Sequence, residues 1–454
     1  MFSYHSARHD RRANLFRLIG AWAAATSLAA SGAANAANAF NAAIAPDIPP
    51  GAALSLEQAQ TLAVARSRQI AGQDAAIEAS RDMAVAAGQR PDPVLRLGID
   101  NLPVEGADRG SLTSDFMTMR RVGVMQEITG SDKLALRSRR YEVEAQKNQA
   151  QKETLTAAVE RDTAIAWLDL HYAEAEADAI KAQRGQAEQE RQAVEAAYRG
   201  GKSSQADVLA ARNAVALFDD RIDDAARQVG NARIMLARWA GDGASHALGD
   251  RPAIDSVRLD PAMLDTQLEH HPEIAVLVRQ ADIADAEAKI ADAERKSDWT
   301  VEVDFQQRGP AYSNMVSVGL SIPLQWDRKH RQDRELSAKL AQAEQARAER
   351  DEMLRAHAAE TRAMYAEWQT GLRRMKRYAD ELLPLARERS QAALSAYRGG
   401  KGTLADVLAA ERGELDVRLS ALQIESETAR LWARLNFLFP SGHAMSPALA
   451  GESK

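Results

Sequence analysis

Residues 197–211 read AYRGGKSSQADVLAA and residues 396–410 read AYRGGKGTLADVLAA, identical at twelve of fifteen positions with an offset of 199. Chance does not give that agreement, so whatever this chain folds into must be built from two copies of one plan. Looser correspondences keep the same order further upstream. Ile70-Ala71 matches Ile274-Ala275, Asp100 matches Asp304, and Val122-Gly123 matches Val318-Gly319.

Each copy reads in the same way. A helical stretch (about 55–90, and 261–296) leads into a strand pair (93–128, and 298–324) and then a very long helix (132–199, and 327–398). A Gly-Gly tip follows, and a closing helix (203–240, and 403–438) completes the copy. The first repeat thus occupies 37–240 and the second 261–440. Residues 241–260, rich in Gly, Asp and Pro, form a connector, and 441–454 form a C-terminal tail.

From Asp132 to Arg199 there is no proline and a single glycine, Gly185. At 1.5 Å per residue such a helix extends about 100 Å and needs lateral partners along its length. The helix after the first tip supplies a seam. Val208, Val215, Ile222, Val229 and Leu236 recur every seven residues, and Ala211, Phe218, Ala225, Ala232 and Trp239 recur three places later. Leu408, Leu415, Leu422 and Ala429 repeat the spacing in the second copy. Each long helix is therefore predicted to reverse at its tip and pack on its successor as an antiparallel hairpin. Gly185 and Pro384 occupy equivalent places in the two long helices at the offset of 199, which predicts a hinge in each.

The strands alternate with period two. Trp299, Val301, Val303 and Phe305 alternate with Thr300, Glu302, Asp304 and Gln306. Leu95, Leu97 and Ile99 alternate with polar residues or glycine, as do Val316, Val318, Leu320 and Ile322, while the strand around 117–128 alternates less cleanly. Segments of this kind, apolar on one face and polar on the other, suit a transmembrane barrel. Four strands cannot close one, and open edges are not tolerated in lipid, so several chains must associate. Two chains would give a barrel filled by side chains and three would leave a lumen.

Mean hydropathy is −0.40, and beyond the N-terminus no apolar run is long enough for a transmembrane helix. Residues 1–36 read as a secretory signal peptide: Arg8, Arg11, Arg12 and Arg17, then the apolar run Leu18 to Ala30, then the A-x-A site Ala34-Asn35-Ala36. Cysteine is absent, so there are no disulfides and no lipid-attachment cysteine. Without the signal the chain carries 54 basic and 63 acidic residues, a balance that argues against nucleic-acid binding.

The tips YRGGKSSQADVL and YRGGKGTLADVL, with the duplicated strand pair, resemble the TolC-type outer-membrane efflux channels, and the resemblance covers about 55–440. It implies a homotrimer with a twelve-stranded barrel in outer-membrane lipid above a helical tunnel in the periplasm. Its partners would be a periplasmic adaptor (membrane fusion protein) and an inner-membrane transporter of a tripartite, RND-type system. By motif, Asp207, Asp406, Tyr198 and Tyr397 fall at the periplasmic aperture. Arg199, Gly200, Gly201 and Lys202, with Arg398, Gly399, Gly400 and Lys401, form adaptor-docking tips. The family's second acid and its basic position past the second tip are replaced here by Ala409 and Gly402. The wording of the strands and tips is more similar to the heavy-metal cation efflux branch than to the drug branch.

Nothing in the chain points to catalysis. It has no Gly-rich phosphate loop, no cysteine nucleophile and no G-x-S-x-G elbow, and no cofactor is implied. The nine histidines are scattered without metal-ligand spacing, and Met117, Met119 and Met125 read as ordinary residues of the strand region. The alternative is a periplasmic coiled-coil adaptor or structural protein without a pore, which would have one hairpin flanked by small β domains.

Overall fold

The computed structural model describes residue 49 and residues 51–261 and 264–442. The signal-peptide expectation for 1–36 and most of the expected tail lie outside the described residues. Within them the order is helical stretch, strand pair, long helix, tip and closing helix, twice over.

The first helical stretch is two helices, α1 (Leu56–Arg66) and α2 (Arg68–Ala87). Ser67 separates them because its backbone is extended (φ −69°, ψ 107°) and its hydroxyl accepts the Ile70 N–H that opens α2. A reciprocal pair of bonds between Ser55 and Gln58 caps α1. The corresponding stretch of the second copy is also split, into α5 (Leu264–Glu269) and α6 (Pro272–Ala293). Here the break is written in the sequence: Pro272 takes the first helical position, where its missing N–H costs nothing.

The first long helix, α3 (Ser131–Arg199), runs 69 residues without interruption and passes straight through Gly185. It turns at the tip into α4 (Gln205–Ala240). Its counterpart is α7 (Gln332–Arg377), a π-turn over Tyr378–Leu382, and α8 (Leu383–Arg398), followed by α9 (Leu404–Asn436). The π-turn lies immediately before Pro384. A proline has no N–H to offer and its ring crowds the carbonyl four residues back, and a widened turn relieves both without ending the helix.

In each copy a tryptophan of the long helix holds the segment that precedes the copy's first helix in the same way. Trp167 on α3 is fully buried and donates its Nε1–H to the Leu54 carbonyl at 3.0 Å. Trp368 on α7 donates to the Ile254 carbonyl, also at 3.0 Å. Trp432 on α9 adds a third bond to the Ser256 carbonyl at 2.8 Å. The 241–260 segment, expected only as a connector, is thus bound to the helices by its backbone, and Ile254 and Leu259 are buried. The Leu54 N–H donates to the Ala247 carbonyl, and the Gly249 N–H to that of Leu54, which joins the connector to the segment that opens the first copy.

The strands β1 (Val94–Asp100), β2 (Met119–Ile128), β3 (Trp299–Gln307) and β4 (Met315–Ser321) form one antiparallel sheet in chain order. The two copies meet at β2 and β3, where Val122 faces Phe305, Gly123 faces Asp304 and Val124 faces Val303. On the polar face Arg121 pairs with Asp100 at 3.3 Å and Arg96 pairs with Glu302. The glycines of this face have a steric reason. A Cβ on Gly123 would stand 1.8 Å from Asp304 Oδ1, and one on Gly319 would stand 2.6 Å from Glu302 Oε1, so each acid lies flat across a glycine. At the base of the sheet Lys133 is buried, and its Nζ donates to the Lys296 carbonyl at 2.6 Å and to Asp298 Oδ2 at 2.8 Å, clasping the start of α3 to the start of β3.

Candidate functional site

Two regions have no use inside a single chain: the outer face of the sheet and the pair of tips. The sheet's apolar face carries Leu95, Leu97, Ile99, Val122, Val124, Val303, Phe305, Val316, Val318 and Leu320, every one of them about half exposed or more. A water-soluble domain does not leave so large a contiguous aliphatic surface bare. Both outer strands, β1 and β4, also end the sheet with unpaired edges. Among the described residues no helix is long and apolar enough to cross a membrane.

The tips are built identically. Gly201 (φ +65°) and Gly400 (φ +70°) take the left-handed conformation that glycine accepts at no steric cost. In the first tip the Lys202 N–H donates to the Ala197 carbonyl at 2.9 Å and the Gly201 N–H to that of Tyr198 at 3.0 Å. In the second the Lys401 N–H donates to the Ala396 carbonyl and the Gly400 N–H to that of Tyr397, at 2.9 and 3.0 Å. Both are complete Schellman turns.

The returning helices are capped alike too. Ser204 and Asp207 form a capping box at the start of α4, and Thr403 and Asp406 form one at the start of α9. Asp207 Oδ2 accepts from the Ser204 N–H at 2.9 Å and from the hydroxyls of Ser204 and Ser203 at 2.8 and 3.0 Å. Asp406 Oδ2 accepts from the Thr403 N–H at 3.0 Å and its hydroxyl at 2.7 Å. These bonds hold both carboxyls below their usual range, the Ser204 backbone N–H contributing most at Asp207 and the Thr403 hydroxyl most at Asp406. Each aspartate therefore has one oxygen committed to its helix start.

The tyrosines part company. Tyr397 packs on a cluster of Val194, Val208, Ala211 and Leu404, which joins the second tip to the stem of the first, whereas Tyr198 is exposed. Arg199, Lys202, Arg398 and Lys401 are all exposed and form no ion pair among the described residues. Further along the stem, Arg212 of α4 reaches Glu195 of α3 at 2.9 Å, and Arg191 holds Glu188 and Glu195 at 2.6 and 2.8 Å.

Sequence spacing gave no sign of two other groupings. Glu411 of α9 meets Glu190 of α3 across the two copies. Burial pushes the Glu411 carboxyl up to about 9, and its hydrogen bond to Glu190 acts in the same direction, so the pair holds a proton at neutral pH. His271, Glu273 and His357, the last 84 residues beyond Glu273, converge where α6 begins beside α7. No local motif marks either grouping, since each joins residues far apart in the chain.

With this geometry established, three comparisons bear on the chain. Residues 263–439 match the family model described as outer membrane efflux protein. No curated protein matches in sequence. Among solved structures, the outer-membrane channel OprN superposes with a TM-score of 0.70 at 20% identity, covering 85% of this chain and 90% of that one. The CusC structure, described in terms of transmembrane channel formation, gives 0.71 at 14% identity over 84% and 91%. The outer membrane protein VceC of Vibrio cholerae gives 0.69 at 18% identity over 84% and 95%. These likenesses fix the fold over both copies, and the second copy, residues 263–439, is similar in sequence to the outer membrane efflux proteins.

Proposed function

We propose that three copies of this chain close a twelve-stranded barrel in the outer membrane and continue it as a helical tunnel into the periplasm. The assembly serves as the passive exit duct of a tripartite efflux system. The observation that carries this reading is the sheet with a bare apolar face and two unpaired edges. Lipid covers the first and neighbouring copies pair the second, and a trimer is the smallest assembly that does both and keeps a lumen.

The tips are the docking end. Arg199, Lys202, Arg398 and Lys401 stand on turns of fixed shape and meet a periplasmic adaptor, which links the duct to an inner-membrane transporter. Asp207 and Asp406 line the closed aperture with the carboxylate oxygens their caps leave free, and three copies of Asp406 form an acidic ring that favours cations. Heavy-metal cations as cargo fit that charge, although the choice of cargo rests with the transporter.

Single-channel recording in planar bilayers tests the reading. A small cation-selective conductance is expected from the wild type. Asp406→Asn, which keeps a side-chain oxygen for the cap, should conduct more and be blocked less by polyvalent cations. A protein that stays monodisperse without detergent and never conducts would leave the periplasmic coiled-coil alternative.

A further inference from the structure

Where α6 begins beside α7, two imidazoles and a carboxylate meet on the rim of a cavity of about 390 Å³. One ligand-competent atom each of His271, Glu273 and His357 lies within 4.8 Å of the other two. His271 is buried, its ring 4.2 Å from that of His357 and edge-on to Phe439 at 5.4 Å. His357 Nε2 is shielded from solvent and has no hydrogen-bond partner. A ring nitrogen left in that state costs about 1–3 kcal/mol, and no partner for it stands among the described residues.

From this constellation we propose that His271, Glu273 and His357 bind a borderline divalent cation of the Zn²⁺ class, clipping the start of the second repeat to its long helix. The donor set is that of a three-ligand zinc site, two imidazoles and one carboxylate, with the fourth position open to the cavity. His271 is already oriented for it. Its Nδ1 is an acceptor in this structure, so that nitrogen carries the lone pair a metal would take. Its present partner is only the Glu273 N–H at 3.3 Å, a long bond that is easily surrendered.

An ion about 2.1 Å from each donor sets the donors about 3.4 Å apart. The three side chains must therefore draw in by little more than an ångström, and the exposed Glu273 has the freedom to make most of that movement. The wider lining adds Asp162 and Glu360 on the acidic side and Arg161 and Arg434 on the basic side. Arg161 is already engaged with Asp162 at 2.9 Å. The site lies among α3, α6, α7 and the end of α9 and uses no residue of the tips or sheet.

The test is calorimetric titration of the purified full chain in detergent, tag-free and stripped with chelator, with ZnCl2, followed by the visible absorption of the Co²⁺-loaded protein. One ion per chain is expected, with a Co²⁺ spectrum of low coordination number. His357→Ala and Glu273→Gln should each weaken Zn²⁺ binding about tenfold or more, and Glu273→Gln, at an exposed position, removes the donor without disturbing the fold. His270→Ala, next in sequence but turned to the Thr266 carbonyl, should leave uptake unchanged. Wild type that takes up no Zn²⁺, or His357→Ala and Glu273→Gln both binding it as the wild type does, would overturn the site.

Discussion

The two long helices come from the same plan and live in different surroundings. The first, α3, packs against α1, α2, α4, α6 and α9, and buries residues from Lys133 to Val194. The second, α7 with α8, packs chiefly against α6 and α9, buries only Ala343, Ala358, Thr361 and Trp368 along α7, and buries none along α8. Leu340, Met353 and Leu385 on it stand about half exposed or more. Duplication of sequence has therefore not produced symmetry within the chain. The first long helix is largely covered by its own chain, and the second leaves a face open, which suits the proposed trimer.

That contrast can be broken most directly by placing one charge on each helix. Leu168→Asp puts an unpaired carboxylate in a fully buried place on α3 and should cost well over about 3 kcal/mol, seen as loss of folded protein from the membrane fraction. Leu385→Asp, on the open face of α8, should change the stability of the single chain by no more than about 0.5 kcal/mol while the trimer band on native electrophoresis falls. Equal damage by the two would mean that the second helix is not waiting for a partner.

A smaller effect sharpens what the copies do share. Trp167→Phe and Trp368→Phe each keep most of the ring and lose one Nε1–H bond to a backbone carbonyl. Chemical denaturation should show about 1–3 kcal/mol lost in each case, and near-equality would establish the clasp as a true repeat.

The link between copies at Glu190 and Glu411 has a pH signature. Glu411 titrates higher in the folded protein than in the unfolded chain, so the folded state holds the extra proton between those two values. Its contribution is whole below the ordinary Glu range and is lost as pH rises toward about 9. Melting curves across that range should show stability falling with pH by up to about 1.4 kcal/mol per unit, and Glu411→Gln should flatten the slope. Smallest of all, Gly201→Ala and Gly400→Ala should each cost about 1 kcal/mol through the left-handed backbone, with the two tips responding alike.

Much of this was legible in the sequence because it is local or periodic. The tip repeat, the heptad seam and the alternation of the strands each encode their structure within a few turns of chain, and helix ends fall within a few residues of where caps and glycines predict them. Long-range groupings were not legible. Trp167 and Leu54 are 113 residues apart, His271 and His357 are 86 apart, and nothing local distinguishes them from core residues. Pro384 announced a disturbance but not its form, since a π-turn and a kink relieve the same clash. Equivalence at the offset of 199 does not extend to shape there: Gly185 sits in unbroken helix. The aspartates of the tips read by motif as aperture acids, and the structure shows each as the fourth residue of a capping box.

The tips have one more consequence. In each tip the turn ties the last helical carbonyls, Ala197 and Tyr198 or Ala396 and Tyr397, back into the turn itself, so the proposed docking partner meets a backbone of fixed shape. Under the proposed docking, recognition falls to side chains and surface relief, at positions such as Ser203 and Gly402 where the two tips already differ. Such a junction is free to drift in specificity by single substitutions while its shape stays constant, and one scaffold can change allegiance without having to learn a new fold.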